Sequence, residues 1–232
     1  MSARIGVVVF PGSNCEHDVL LALSVVGGVD AELVWHGDAA VRGLDMVVLP
    51  GGFAHGDYLR PGAIARFSPV MGAVARFAAD GGPVVGICNG FQVLTEAGLL
   101  PGALQKNAGL RFLCTTVPVT VCSTASVLTA GLDLGMQLRL PINHFEGNYT
   151  CDDETLARLR AEDRVVLRYA ANPNGSVDDI AGVRNEAGNV VGLMPHPERA
   201  CDPLTGNTDG IPLVRALVAS AAGAPTLVTR PG

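Results

Sequence analysis

Cys88 ends an apolar run and has a glycine two residues away on each side, in the sequence Gly86-Ile87-Cys88-Asn89-Gly90. This spacing is typical of a nucleophile elbow, a sharp strand-to-helix turn that lifts a nucleophile out of a sheet. The two glycines let the strand and helix backbones pass close together. The positive end of the helix favours the thiolate, and the backbone N–H of Asn89 is placed to donate to an oxyanion. The alternative is a buried structural cysteine beside incidental glycines.

A cysteine nucleophile needs a base, and the sequence Pro195-His196-Pro197-Glu198 follows an apolar run late in the chain. A residue before proline is driven towards an extended conformation, which applies to His196. Side chains two apart in an extended segment leave on the same side, so His196 and Glu198 are predicted to converge. The carboxylate then orients the imidazole and raises its basicity towards Cys88. A surface turn with a solvated glutamate is the alternative.

Gly51 and Gly52 follow another apolar run. Glycines past a strand end leave backbone N–H groups open to close approach, so Gly52 is predicted to supply a second oxyanion donor. A plain turn is the alternative interpretation of this pair.

The segment Ser13–Asp18 contains several side chains that could bind a metal. Its spacing better suits a helix start, with Ser13 as N-cap and Glu16 reaching back to it, so we predict no metal site. The other five cysteines show no elbow pattern, and we interpret them as structural. They are Cys15, Cys114, Cys122, Cys151 and Cys201.

The elements around these residues form a repeating pattern of apolar strand, glycine- or proline-marked turn and helix. Such alternation predicts an α/β fold of three layers, a doubly wound and mostly parallel sheet with helices on both faces. The middle of the chain alternates apolar and polar residues and predicts an antiparallel extension of that sheet. The predicted strands are 4–10, 31–35, 45–50, 83–88, 112–121, 137–142, 164–170, 180–185 and 189–195, and the predicted helices are 15–26, 64–79, a helix starting at 89, and 211–222.

The 232 residues show no linker or repeat, so we predict a single domain over 1–232, with a loose tail at 224–232. A net charge of -6 with no basic cluster argues against a nucleic-acid partner. No apolar run is long enough for a membrane helix, and the start of the chain is typical of a first strand, not of a signal peptide. We therefore expect six reduced cysteines in a cytoplasmic protein. The sequence contains no glycine-rich phosphate cradle with a lysine, so we expect no cofactor in this chain.

Several motifs together resemble class I (triad) glutamine amidotransferases. They are FPGSNCEHD, LPGGFAHGDYLRPGAIA, GICNGFQ, GLLPGAL, NAGLRF, ANPNGS, IAGV and MPHPER, which run in order over nearly the whole chain. Within that family the chain is similar to glutaminase subunits that supply ammonia for the conversion of formylglycinamide ribonucleotide to the amidine in purine biosynthesis. The resemblance implies a flavodoxin-like fold.

The resemblance also implies roles for individual residues. Cys88 attacks the side-chain amide of L-glutamine, His196 relays protons, and Glu198 orients His196. Gly51, Gly52 and Gln92 contact the bound glutamine, and the oxyanion is held by Gly52 and Asn89. The implied partners are a large ATP-dependent synthetase subunit, which carries ATP and Mg²⁺, and a small bridging subunit.

The chain departs from the family pattern at two positions: His55 stands where the family prefers an aromatic residue, and Phe145 interrupts the loop that in the family reads His-Gly-Glu-Gly. The roles of His55 and His144 therefore stay open. Asn107 and Arg111 are candidates to bind the α-amino and α-carboxylate groups of glutamine. Two other functions remain as alternatives: a cysteine hydrolase or peptidase on a similar elbow, and a redox sensor whose Cys88 thiolate is oxidised.

Overall fold

The computed structural model describes residues 3–223, so the predicted loose tail at 224–232 lies outside the described residues. Eleven strands are assigned in this part of the chain, nine of them in one sheet. In chain order they are β1 (Ile5–Val9), β2 (Glu32–Trp35), β3 (Met46–Leu49), β4 (Val84–Ile87), β5 (Ala103–Gln105), β6 (Leu113–Val121), β7 (Gln137–His144), β8 (Asn148–Thr150), β9 (Val165–Tyr169), β10 (Ile180–Arg184) and β11 (Val190–Leu193).

The main sheet has a parallel half and an antiparallel extension, as predicted. Its strand order is β2-β1-β3-β4-β11-β10-β9-β6-β7. The first five strands pair in parallel, and every pairing from β11 to β7 is antiparallel. The predicted hairpin is formed by β10 and β11, and β11 also pairs with β4. This second pairing places the end of β11 beside the end of β4.

Five α-helices are assigned in the described part of the chain: α1 (Glu16–Gly27), α2 (Pro69–Ala79), α3 (Asn89–Glu96), α4 (Asp153–Ala161) and α5 (Ile211–Ala221). The crossovers from β1 to β2 and from β3 to β4 run in opposite directions across the sheet. Because such crossovers are right-handed, α1 and α2 lie on opposite faces. Helix α5 packs against α1, and α3 contacts β3, β4 and β11. The fold is therefore three-layered and doubly wound.

The predicted helix over 64–79 is wrong at its start, because the first residues of this segment do not form one continuous α-helix with the rest. A short 3₁₀ turn at Ala65–Phe67 is followed by Ser68 in an extended conformation (φ -61°, ψ 141°), and α2 begins at Pro69. The proline ring disfavours helical geometry at the residue before it, which separates the two segments.

Two features of the middle of the chain were missed. Helix α4 begins after Asp152, whose carboxylate accepts a hydrogen bond from the Thr155 N–H at 2.7 Å. The short strands β5 and β8 pair in a separate two-stranded sheet.

Within residues 3–223, no helix combines the length and apolar character needed to cross a bilayer.

Candidate active site

Cys88 lies on a strained turn between β4 and α3. Its backbone has φ 51° and ψ -106°, a conformation that non-glycine residues rarely adopt. A Cβ at Gly86 would lie 2.6 Å from the Gly90 carbonyl oxygen, and a Cβ at Gly90 would overlap the Leu49 carbonyl oxygen. Both glycines are therefore needed for α3 to pass this close to the sheet. The predicted nucleophile elbow is present, and the Cys88 side chain is largely buried.

His196 and Glu198 follow the end of β11, next to the elbow. His196 Nδ1 lies 2.7 Å from Glu198 Oε1, and both side chains are 2% exposed. His196 is close to extended (φ -105°, ψ 87°), whereas Glu198 lies in a 3₁₀ turn at Pro197–Arg199. The predicted convergence is thus present, although a tight turn and not an extended segment brings the carboxylate to the ring.

The surroundings of His196 favour its protonated form. Burial alone lowers the pKa of His196, but the Glu198 carboxylate and then the sulfurs of Cys88 and Cys15 outweigh burial and raise it well above its ordinary value. His196 Nε2 is buried without a hydrogen-bond partner. The arrangement therefore favours a proton on the imidazole next to the elbow cysteine.

Two backbone N–H groups beside the nucleophile are free to donate. Within residues 3–223, neither Gly52 nor Asn89 donates its backbone N–H to another protein group. Gly52 has φ 150°, and a Cβ there would lie 2.7 Å from the Ser13 Cα. A Cβ at Gly51 would lie 2.7 Å from His196 Cε1. Only glycines therefore fit between the turn after β1 and the imidazole, with the Gly52 N–H left open.

The side chains of Asn89 and Gln92 form hydrogen bonds with each other and with other parts of the chain. Asn89 Oδ1 accepts the Ala54 N–H at 3.0 Å, and its Nδ2 donates to Asp57 Oδ1 at 3.1 Å and to Gln92 Oε1 at 2.8 Å. Gln92 Nε2 donates to the Glu146 carbonyl. These bonds join the elbow helix to two loops, and the predicted contact of Gln92 with glutamine stays a prediction.

His144 sits beside the triad in a neutral form. Burial, helped by His196, lowers the pKa of His144 to about 4. Its Nδ1 lies 3.1 Å from Asn107 Oδ1, which also accepts the Gly147 N–H, while Asn107 Nδ2 donates to the carbonyls of Arg111 and His144. The Asn107 amide is thus occupied in holding this loop.

His55 and Arg111 lie away from the triad contacts. His55 Nε2 lies 3.4 Å from Ser68 Oγ, and its ring packs edge-on against His36. Arg111 is exposed. The predicted glutamine contacts of Asn107 and Arg111 stay predictions.

Cys15 is the site residue that sequence reasoning missed. It is the N-cap of α1, and its sulfur accepts a hydrogen bond from Arg199 Nη2 at 3.2 Å. One donor atom each from Cys15, His196 and Glu198 lie within 4.8 Å of one another. No local pattern marks this contact, because 181 residues separate Cys15 from His196 and only the fold brings them together.

The predicted capping role of Ser13 is wrong. Ser13 Oγ accepts the Phe10 N–H at 3.0 Å, and the Ser13 N–H donates back to the Phe10 carbonyl at 2.9 Å. These two bonds close the turn after β1, so Ser13 is unavailable to α1. Glu16 Oε2 has no hydrogen-bond partner within the described chain.

Comparison with known proteins gives consistent matches over most of the chain. Residues 2–210 match a family model described as the CobB/CobQ-like glutamine amidotransferase domain. The chain is 60% identical over 218 residues to the phosphoribosylformylglycinamidine synthase subunit PurQ of Rubrobacter xylanophilus, covering 94% of this chain and 99% of the relative. It is 56% identical over 214 residues to the PurQ subunit of Parasynechococcus marenigrum, covering 92% and 99%.

Comparison with solved structures gives a match that is also similar in sequence. A chain from the structure of PurLQS from Thermotoga maritima superposes with a TM-score of 0.86 at 42% identity, covering 94% of this chain and 98% of that one.

Proposed function

The chain belongs to the CobB/CobQ-like glutamine amidotransferase family, and we infer that it hydrolyses L-glutamine through a triad of Cys88, His196 and Glu198. It is the glutaminase subunit of a phosphoribosylformylglycinamidine synthase, and its ammonia converts formylglycinamide ribonucleotide to formylglycinamidine ribonucleotide in purine biosynthesis. The observation that carries the triad is the buried Nδ1–Oε1 contact of 2.7 Å behind an imidazole that neighbours the elbow cysteine.

The first half of the reaction is acyl transfer to sulfur. The Cys88 thiolate attacks the side-chain carbonyl carbon of glutamine, and the carbonyl oxygen becomes an oxyanion within reach of the Gly52 and Asn89 N–H groups. The protonated His196 gives its proton to the amide nitrogen, the carbon–nitrogen bond breaks, and ammonia leaves. The product on the enzyme is a glutamyl thioester.

The second half returns the enzyme to its starting state. His196, now neutral, takes a proton from water while the water oxygen attacks the thioester carbon. The carbon–sulfur bond breaks, glutamate leaves, and Cys88 is again a thiolate beside a protonated His196. Glu198 keeps the imidazole in one tautomer and orientation through both halves and stabilises its positive charge. We assign Gly51, Gly52 and Gln92 to glutamine binding.

The ammonia is used by a partner. The chain associates with a synthetase subunit that consumes ATP and with a small third subunit, as the assembly of its relative from Thermotoga maritima supports. We propose that ATP and Mg²⁺ bind the synthetase and that this chain carries no cofactor, which the lack of a glycine-rich phosphate cradle in its sequence supports. We place the complex in the cytoplasm, and the six free cysteines support a reducing compartment.

A glutamine analogue with an electrophilic carbon tests the triad. Mass spectrometry of the treated protein is expected to find one adduct, on Cys88, and excess glutamine is expected to prevent it. The exposed Cys114 is the internal control for unselective alkylation. Equal labelling of Cys88 and Cys114, unaffected by glutamine, would refute the assignment.

A further inference from the structure

A cluster of possible metal ligands includes two residues of the proposed triad and one residue outside it, Cys15. The Cys15 sulfur and one atom each from the His196 ring and the Glu198 carboxylate are all within 4.8 Å of one another, and all three residues are buried. A thiolate, an imidazole and a carboxylate are the three protein ligands that Zn²⁺ binds. The glutaminase reaction described above gives no role to the Cys15 sulfur.

Only one of the two oxygens of the Glu198 carboxylate forms a hydrogen bond within the triad. Its Oε1 accepts from His196, whereas Oε2 is buried and has no hydrogen-bond partner among residues 3–223. A buried carboxylate oxygen without a donor is costly, and it is stabilised when a proton donor or a cation reaches it. This oxygen is therefore an observation, independent of the cysteine, that points to a positively charged ligand.

We propose that Cys15, His196 and Glu198 form a binding site for a thiophilic divalent cation, represented by Zn²⁺, and that the bound cation holds the enzyme inactive. Zn²⁺ has no fixed geometric preference from its d-electrons and accepts sulfur, nitrogen and oxygen ligands at about 2.0–2.3 Å in tetrahedral sites. Small side-chain rotations bring donors from 4.8 Å to the closer spacing that such bonds require. Water or the sulfur of Cys88 fills the fourth position.

The charges around the cluster balance once the cation is bound. The Cys15 thiol and the His196 imidazolium each lose one proton to solvent when the cation binds. The resulting thiolate and the Glu198 carboxylate together neutralise the divalent ion, and the neutral imidazole adds no charge. Arg199 is a permanent cation beside the cluster: its Nε lies 2.9 Å from Asp18 Oδ2, and its Nη2 donates to the Cys15 sulfur. Because Asp18 already neutralises Arg199, the guanidinium adds little net repulsion.

The bound cation removes activity because two of its ligands, His196 and Glu198, are triad residues. This step rests on the proposed triad. An imidazole that donates a lone pair to a metal no longer relays protons between Cys88 and the leaving ammonia. A carboxylate bound to the same metal no longer stabilises the imidazolium. Removing the metal with a chelator restores both groups, so the inhibition is reversible.

Metal binding by the whole chain tests the site without relying on activity. Chelator-treated protein is dialysed against Zn²⁺ and the bound metal is quantified. In parallel, Co²⁺ is added and the thiolate-to-cobalt charge-transfer absorption is recorded. We expect one metal per chain, and we expect Cys15→Ala to weaken binding by more than about tenfold and to remove the charge-transfer band.

Two further variants separate this site from its neighbours. Cys201→Ala is the matched control, because Cys201 is also buried and lies near the triad but donates to the Pro197 carbonyl outside the cluster. It is expected to bind metal like the wild type. Cys88→Ser is expected to retain the Cys15-dependent band. If Cys88→Ser loses the metal while Cys15→Ala keeps it, the metal binds the reactive cysteine and the proposed site is wrong.

Glutaminase assays then test the inhibitory role. The Zn²⁺ concentration that halves activity is expected to rise more than about tenfold in Cys15→Ala, relative to that variant's own metal-free rate, and to stay unchanged in Cys201→Ala. Wild-type protein that binds no Zn²⁺ yet labels normally at Cys88 overturns this site and leaves the triad standing. Protein that binds Zn²⁺ through Cys15 but shows no Cys88 labelling after the metal has been removed with a chelator overturns the triad instead.

Discussion

His196 Nδ1 and Glu198 Oε1 lie 2.7 Å apart in side chains that are 2% exposed. A buried carboxylate in this position fixes which ring nitrogen carries the proton and offsets the cost of charging a buried imidazole. The opposite nitrogen, Nε2, makes no hydrogen bond in the structure. The pair therefore presents an orientated acid–base group whose free nitrogen is available for proton transfer.

Replacing Glu198 by glutamine is expected to reduce the glutaminase rate by about a hundredfold or more. The amide can still accept from Nδ1, but it no longer supplies the charge that raises the pKa of His196. The imidazolium is then lost at a lower pH. The pH dependence of Cys88 alkylation and an NMR titration of the His196 ring measure this shift directly.

The matched control for this change is Glu162→Gln, which removes a carboxylate paired with Arg164 outside the triad. Its rate and its His196 titration are expected to match those of the wild type. A normal His196 titration in Glu198→Gln would show that the carboxylate does not govern the imidazole.

Gly90→Ala is expected to destabilise the protein by at least about 2 kcal/mol. The added methyl would overlap the Leu49 carbonyl oxygen, so α3 or β3 must shift. Gly72→Ala is the control, because Gly72 lies in α2 and its Cβ would meet nothing closer than the tip of Arg76 at 3.7 Å. That variant is expected to gain up to about 1 kcal/mol, since alanine favours helices. Chemical denaturation of the two variants measures the contrast.

The sequence predicted the parts of the site that depend on local spacing. The glycines around Cys88 mark the elbow because the clash they avoid lies within a few residues of the turn or in the adjacent strand. The His196–Glu198 pair was predictable because the two residues are two positions apart. The alternation of apolar runs likewise predicted both halves of the sheet.

The parts that the sequence could not predict are contacts between distant segments. Cys15 meets His196 only because β1 and β11 both end at the same edge of the sheet, and Asn107 meets His144 only through a loop that folds back. The break at Ser68 had a local signal in Pro69, but the alanine-rich pattern on both sides obscured it. Helix α4 was missed because a single buried position, Leu159, leaves a weak apolar pattern.

Asp57 gives a pH-dependent prediction for stability. Burial, opposed in part by the hydrogen bond from Asn89, raises the pKa of Asp57 from 3.8 to about 6. Between those two values the folded state keeps a proton that the unfolded state has lost. Stability therefore falls as pH rises through this range, and the full cost is present above about pH 6.

Asp57→Asn is expected to raise the free energy of unfolding by about 1–2 kcal/mol at pH 8 and to have no such effect near pH 4. The expected gain is smaller than the full pKa shift would give, because Asp57 is partly exposed to solvent. Asparagine keeps the acceptor for Asn89 and tolerates the left-handed φ of 52°. The control is Asp179→Asn, at an exposed aspartate with φ 56°. Urea denaturation at both pH values measures the difference, and an equal gain at pH 4 and pH 8 would contradict the titration of Asp57.

Cys88→Ser separates the chemistry of this chain from that of its synthetase partner. A serine hydroxyl at the elbow lacks the nucleophilicity of the thiolate, so glutamine-dependent synthesis by the complex is expected to fall about a thousandfold or more. Synthesis from added ammonium salts is expected to persist, because that reaction bypasses the thioester. Cys201→Ser, whose hydroxyl can replace the thiol bond to the Pro197 carbonyl, is expected to preserve both activities. Loss of ammonia-dependent synthesis in a folded, complex-forming Cys88→Ser protein would mean that Cys88 acts on the partner and not on glutamine.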